Sequence, residues 1–530
     1  MSDLLERTDA PQITYRRPTW QEAVAGYAPQ RWRHHALRFA DRLPLALIVL
    51  LQVLLTLRLR NGVFIDEALY INAGQDLLHA WSTGAPIPDH ASGFSGLPAA
   101  YPVLIALVDA VGGLWLARFT SLAMVVGVTI LLAATTQHLF GYRAGVLAAA
   151  AFAATGPVLF LGALATFDAL ALLLLISALW LGSTRRGWST ALLVGVLLAA
   201  AVVVKYTAAV FVPPVLAAIV LAGMRGAPAT GPDEPAAVPA TRPTAGRSWW
   251  RGVLAGLTAG GLLAAAYLVL ADASVRQGIA FTTTARQALS PTSTGFLLTS
   301  LALDIGPILL LGLLGLTVLV TRRDRVLLGL VLLGAAALLP AAQLHLGEGV
   351  SFSKHTAYSA AFLAPLAGVG LAWLSRRTFA FGPVGLALLL VLSLGALRSS
   401  ALHREWVDVR PVAAIIEENP APGVYISSST DALKYYTRRA GLDIAWQTTF
   451  ELYARGDDVI RHAVDTGRYQ TVILRSASTT NPDQDAGQAL LLEALVASDN
   501  YRAEPPLEVR DYSDDRWLIF HRLPDIPDAS

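Results

Sequence analysis

Two adjacent carboxylates, Asp66 and Glu67, stand in the stretch Asn61–Leu77, "NGVFIDEALYINAGQDL", a few residues beyond a run of apolar side chains. Ionised carboxylates are costly beside lipid unless something pairs or uses them. A carboxylate held in place there can accept the proton of an attacking hydroxyl. The segment "IDEALYINAGQDLLHAW" has helical spacing, with Leu69, Ala73, Leu77 and Ala80 on one face. Such a helix would lie along a membrane surface, with both acids at its start. The plain alternative is structural, because acidic residues suit a helix N-terminus and Asp is a good cap.

Other residues have types that fit a charged reaction centre. Lys205 ends an apolar run in "VVVKYTAAVFVPP" and can hold an anion as a point charge; its alternative is snorkelling to the interface. Arg286, Lys354 and His355 fall in later polar loops, near the same membrane face. Asp168, in "ATFDALALLLL", lies at or just inside that face, where an acid is a functional candidate by default. It is placed to orient a lysine, to contact an acceptor, or to pair with Arg118. Arg118 follows the return of the first loop to the membrane, which Tyr101 opens in a Tyr-Pro step; both are expected to be acceptor contacts or structural. His345, Glu348 and His355 have the types of metal ligands, but their spacing matches no metal motif. No cofactor is therefore expected, with a divalent metal on those three as the alternative.

The elements that must position these groups follow from composition and hydropathy. Of 530 residues, 54% are hydrophobic and only 15% charged, whereas soluble domains carry about 25% charged residues. The mean hydropathy is +0.52. A polytopic α-helical membrane protein with a polar appendage is expected. The net charge of +2 gives no reason to expect a nucleic-acid partner, and the absence of cysteine excludes disulfides and thiol chemistry. Apolar runs mark eleven expected spans, at about 43–60, 114–136, 143–161, 166–183, 189–204, 206–224, 251–271, 296–320, 326–344, 356–374 and 379–397.

Arginines alternate with these spans. Arg31, Arg33, Arg38, Arg42, Arg143, Arg185, Arg186, Arg225, Arg242, Arg247, Arg251, Arg322, Arg323, Arg325, Arg376 and Arg377 share one side. The positive-inside rule makes that side cytoplasmic, so 1–42 is a cytoplasmic segment of a plasma-membrane protein. That segment is too long and too charged for an ordinary cleaved signal, so the first span is expected to be a retained anchor. Loop 225–250 is Pro/Ala-rich, with Trp249 and Trp250 suited to an interfacial belt. The transmembrane domain covers 43–399, with the long outside loop 61–113 in it. Residues 400–530 then form an extracytoplasmic domain. It reads as α/β, with strands in "GVYISSS" and "YQTVILRS", a closing pair in "LEVRDY" and "RWLIFHRL", and helices between. It carries no catalytic constellation and is expected to guide an acceptor or to shape the mouth of the cavity, not to hold the reacting groups.

The order of motifs is more specific than any one of them. A span, a long loop with Asp-Glu, a Tyr-Pro return, Ala-Arg-Phe, Phe-Asp-Ala and Lys-Tyr-Thr-Ala follow in turn. This order resembles the GT-C glycosyltransferases, in particular the family 39 protein O-mannosyltransferases and the lipid A aminoarabinose transferases. The resemblance covers about 43–225 in motifs and 250–400 in hydropathy pattern. It implies transfer of a sugar from a polyprenyl-phosphate donor to a hydroxyl acceptor at the extracytoplasmic face, usually with inversion. It also implies that Asp66 is the general base and Glu67 its acidic neighbour. The leaving lipid phosphate needs cations rather than an acid, and Lys205, Arg286, Lys354 and His355 are the candidates. Polysaccharide, lipid and protein remain open as acceptors, beside membrane lipid as a partner. The competing expectation is a transporter or flippase of lipid-linked sugars. It is disfavoured because no internal repeat is evident and the polar residues gather at one face.

Overall fold

The computed structural model describes residues 30–185, 187–224, 254–286 (except 255, 257, 259, 263 and 268), 291–377, 382–479, 481–508 and 515–524, with backbone alone for 30–41, 224, 376 and 377. Residues 1–29, Arg186, and the 225–250 loop with Trp249, Trp250 and its arginines lie outside the described residues, as does Arg251. The chain divides into residues 1–47 and 48–530.

The helices of the apolar half are α1 (Gln30–Leu57), α2 (Ile65–Thr83), α3 (Tyr101–Phe140), α4 (Tyr142–Ala153), α5 (Gly156–Gly162), α6 (Phe167–Thr184), α7 (Trp188–Val204) and α8 (Val212–Met224). They continue with α9 (Ala273–Thr282), α10 (Thr294–Arg322), α11 (Val326–Leu346), α12 (Phe352–Arg377) and α13 (Gly382–Leu402). Among the described residues, seven helices are long and apolar enough to cross a membrane, each on an expected span. The expected spans at 43–60 and 189–204 coincide with the shorter apolar helices Arg42–Leu57 and Trp188–Val204. The 251–271 span falls in a segment described only in part.

Two expected spans have a different shape. The segment 143–161 is not one rod: α4 and α5 meet at 70°. Thr155 is extended there and Pro157 opens α5, and a proline cannot continue the preceding helix but suits a first turn. The span expected at 114–136 is the 40-residue α3, broken at Gly113, whose φ of 67° only glycine adopts at no cost. Helix α12 is the axis of the bundle. In its apolar window 83% of residues are buried, against 22% for α13 at the periphery. α12 packs on α4, α10 and α11.

The tail holds α14 (Arg410–Glu418), β1 (Val424–Ser427), α15 (Thr430–Arg439), β2 (Ala445–Thr448), α16 (Thr449–Tyr453), α17 (Asp457–Asp465), β3 (Thr471–Arg475), α18 (Pro482–Ala497), β4 (Tyr501–Ala503), β5 (Leu507–Glu508) and β6 (Arg516–Arg522). The strand order is β2-β1-β3-β6-β4, with β5 also on β6. β1 is parallel to β2 and β3, and each of these crossovers contains a helix, as parallel pairing requires. β6 returns antiparallel between β3 and β4. Alternation splits the sheet into two apolar faces. Tyr425, Ile473, Trp517 and Ile519 join the core that continues into the membrane bundle. Ile426, Val472, Leu474 and Phe520 form a separate core with α17 and α18.

Candidate active site

The loop before α2 is built around Glu67. Phe64 is the extended N-cap residue, and Glu67, three positions on, accepts from the Phe64 amide at 2.8 Å through Oε2. This is the carboxylate half of a capping box. Glu67, not Asp66, therefore supplies the capping contact. Arg118 of α3 donates to both Glu67 oxygens, at 2.9 and 2.6 Å, and to the carbonyls of Asn61 and Gly62 at 3.0 and 2.7 Å. The Ala165 amide adds a contact to Glu67 Oε1 at 2.8 Å. The Glu67 side chain is fully buried, with four donors on its two oxygens. It ties together the Asp66 loop, α3 and the turn before α6.

Asp66 is turned the other way and bonds Lys354 Nζ. Lys354 lies in the first turn of α12, enclosed, with its ammonium 5.4 Å from the centre of the Phe64 ring. A second pair lies close by: Lys205 Nζ is 2.8 Å from Asp168 Oδ1, with both side chains buried. Lys205 is extended, between the end of α7 and the 3-10 turn Tyr206–Phe211. The return of the first loop fixes this point. Leu97 donates to the Val203 carbonyl at 2.9 Å, and Tyr206 donates to the Ser95 carbonyl at 2.7 Å. Gly96 lies so near that a Cβ would come within 1.8 Å of the Val204 carbonyl oxygen. Tyr70, Phe94, Tyr101 and Phe167 pack edge-on or tilted beneath, with Tyr70 and Phe167 centroids 4.2 Å apart. They lock α2 against the start of α6, where Asp168 stands.

The structure thus brings together Asp66, Lys354, Asp168 and Lys205. His355, next along α12, lies in the electrostatic field of Asp168, Lys205, Lys354 and Arg286. Its Nδ1 is buried and without a hydrogen bond. Tyr358, one turn on, donates to the Asp168 carbonyl at 3.3 Å. Asp168 Oδ2 is buried and also lacks a hydrogen-bond partner. Arg286 is engaged by Glu348 at 2.8 Å. Arg118 pairs with Glu67 rather than Asp168, and Tyr101 serves the aromatic packing. The metal alternative is not supported. His345 is exposed and Glu348 is taken by Arg286. Among the described residues no three His, Asp or Glu side chains are arranged to hold a metal ion.

Two clusters were not singled out from sequence. Asp304 of α10 is buried against Arg398 of α13 at 2.6 Å and accepts from Thr356 of α12 at 3.0 Å. An acid inside a long apolar run was the available signal. Asp76 of α2 meets His90 at 2.9 Å, Lys434 at 3.4 Å and Arg438 at 2.6 Å. Lys434 and Arg438 belong to α15 in the tail. Beside them Asn72 donates to the Asp431 carbonyl, and the Val63 amide donates to the Tyr436 hydroxyl, each at 2.9 Å. Burial alone would raise the Asp76 carboxyl, but His90, Lys434 and Arg438 outweigh it and hold the group well below the usual carboxylate range.

Comparison with known proteins places the fold. Residues 98–228 match the family model for dolichyl-phosphate-mannose-protein mannosyltransferase. The fold matches ArnT from Cupriavidus metallidurans bound to undecaprenyl phosphate, with TM-score 0.60 and 13% identity over 92% of this chain and 99% of that one. The chain has the GT-C glycosyltransferase fold. Two further GT-C structures agree. The oligosaccharyltransferase AglB from Archaeoglobus fulgidus, in complex with an inhibitory peptide and a dolichol-phosphate, has TM-score 0.52 at 14% identity, over 82% of this chain and 70% of that one. The arabinofuranosyltransferase AftD from mycobacteria has TM-score 0.52 at 17% identity, over 92% of this chain and 40% of that one. No curated protein matches the sequence. With seven helices among the described residues long and apolar enough to cross a membrane, the chain is a multi-pass membrane protein.

Proposed function

We propose that this GT-C protein transfers a sugar from a polyprenyl-phosphate donor to a hydroxyl acceptor, with inversion, and that Asp66 is its general base. One observation carries the assignment. Of the four paired carboxylates near the site, Asp66 keeps 26% of its side chain exposed, while Glu67 and Asp168 are at 0% and Glu348 at 2%. Only Asp66 of these is open to an incoming hydroxyl. The lipid-phosphate class of donor is supported by the neighbours crystallised with undecaprenyl phosphate or studied with dolichol-phosphate.

The resting contacts suggest how the parts work together. Lys354 and Lys205 each neutralise a carboxylate while no donor is bound. A donor phosphate offers both lysines a further charge-assisted partner. Lys354 shifts toward it, and Asp66 becomes free to accept a proton. The acceptor oxygen attacks the anomeric carbon from the side opposite the phosphate. The bond from that carbon to the phosphate oxygen breaks, its electron pair leaves with the lipid phosphate, and the acceptor proton passes to Asp66. Lys205, Lys354, His355 and Arg286 stabilise the departing anion. The test is single turnover with purified protein and a radiolabelled polyprenyl-phosphate sugar. Donor binding is expected to persist in Asp66→Asn while transfer falls by about 10²-fold or more. Transfer at the native rate would remove Asp66 as the base.

A further inference from the structure

A cavity lies beside the Glu67–Arg118 clamp, with Arg118 in its wall. It has a volume of about 550 Å³ and runs between the end of α1, the first half of α3 and the tail. Leu57, Leu114, Trp115 and Phe119 line its apolar part, and Arg60 and Arg410 its polar part. Trp115 and Phe119 are stacked, with centroids 5.5 Å apart and 10° between planes, and both are exposed. Two large rings stacked toward the surrounding phase near the end of a span suit the boundary between acyl chains and headgroups.

The charges at this mouth can be counted. Arg118 is neutralised by Glu67, and Arg410 by Asp408 at 2.6 Å. Arg60 forms no ion pair with any carboxylate among the described residues. One positive charge is left over beside an apolar trough. We propose that this groove holds an anionic phospholipid of the surrounding bilayer, its phosphodiester on Arg60 and Arg410 and an acyl chain along Leu114, Trp115 and Phe119. A single phosphodiester matches the single excess charge, and the guanidinium fork suits phosphate oxygens. Basic pockets between membrane helices are a known form of lipid recognition. Arg118 forms part of the wall and also holds Glu67, so the bound lipid would brace the loop that carries Asp66. The proposal rests on the membrane location of the chain and not on its transferase reading.

The test uses the full-length protein in nanodiscs of equal phosphatidylglycerol and phosphatidylcholine, released into mild detergent for native mass spectrometry. One retained phosphatidylglycerol is expected, and Arg60→Glu should lower its occupancy by about fivefold. Leu114→Trp, which fills the trough without touching the charges, should lower it as well. Lys205→Ala with Lys354→Ala should leave it unchanged while weakening donor binding. Equal retention of the two lipids, or full occupancy in Arg60→Glu, would overturn the proposal. Loss of the lipid in the double lysine variant would assign it to the donor cavity instead. Displacement by undecaprenyl phosphate in that same double variant would make the groove a carrier-lipid site, which also overturns it.

Discussion

Asp66 and Glu67 are neighbours in the chain with opposite surroundings. Consecutive helical residues point about 100° apart, so one faces Lys354 while the other faces Arg118. The sequence reading that treats the pair as one acidic motif therefore joins two roles. Glu67 has every lone pair engaged and nothing left for a proton. Glu67→Gln should act through folding, since unpairing a buried charge costs about 3–5 kcal/mol. The expected result is a lower melting temperature and less monodisperse protein, with near-native turnover in the fraction that folds. Loss of turnover at unchanged melting temperature would give Glu67 a chemical role. The lysines were legible for a simple reason. Lys205 and Lys354 fall where the apolar runs meet one membrane face, and each bonds a carboxylate there, whereas Lys434, the third lysine of the chain, bonds Asp76 and was not singled out. Lys205→Ala and Lys354→Ala should each weaken donor binding by about tenfold or more, the scale of a lost charge-assisted hydrogen bond. Titration with labelled donor measures this, and unchanged affinity in both would remove them from the phosphate site.

At the scale of elements, the decisive contact joins α2 to α15. The strands and helices of the tail were readable from alternation and turn residues, as the positions of β1, β3, β6, α15, α17 and α18 show. The short strands β2 and β4 were less so, because three or four residues are too few to show a period, whereas β5 opens the expected strand "LEVRDY" and pairs with β6 as expected. What sequence did not reveal was the docking, since ion pairs between residues more than 350 positions apart leave no local pattern. Asp76 has a depressed pKa in the folded protein, so its contribution is complete above the unfolded value of about 3.9 and fades as pH falls below it. Asp76→Asn should therefore lower the melting temperature at pH 7, and its gap from the native protein should close below about pH 4. A gap constant from pH 7 to pH 3 would show that the carboxylate charge is not what holds α15. Because the tail shares its core with the bundle, Arg438→Ala is a finer probe of acceptor use than removal of the whole domain. Should Arg438→Ala slow transfer to acceptor while leaving donor hydrolysis unchanged, the tail is acting on the acceptor, as its lack of a catalytic constellation suggests.

At the scale of the whole molecule, the arginine pattern predicts that the tail lies outside. The native chain lacks cysteine, so a single introduced thiol reports without background. Ser428→Cys, at an exposed turn, should react with an impermeant maleimide in intact cells, and Ser248→Cys should react only after lysis. The reverse pattern would invert the topology. The hydropathy reading found where the chain becomes helical, but not the 70° bend between α4 and α5, because a proline-led break leaves the average apolarity unchanged. It also passed over Asp304 and Arg398, which a span-level average hides among leucines.

The pairing of the four cations at the candidate site with four carboxylates has a kinetic consequence. Lys354 with Asp66, Lys205 with Asp168, Arg118 with Glu67 and Arg286 with Glu348 sum to zero. Four neutral pairs project little field beyond themselves, so they do not draw in an anionic lipid from a distance. Arrival is set by diffusion in the plane of the bilayer, and selection occurs only on contact, when a phosphate competes for each lysine. Added salt should then leave the association rate of the lipid almost unchanged. A site arranged in this way would sample whatever lipids pass and respond to the one whose headgroup can break its internal pairs.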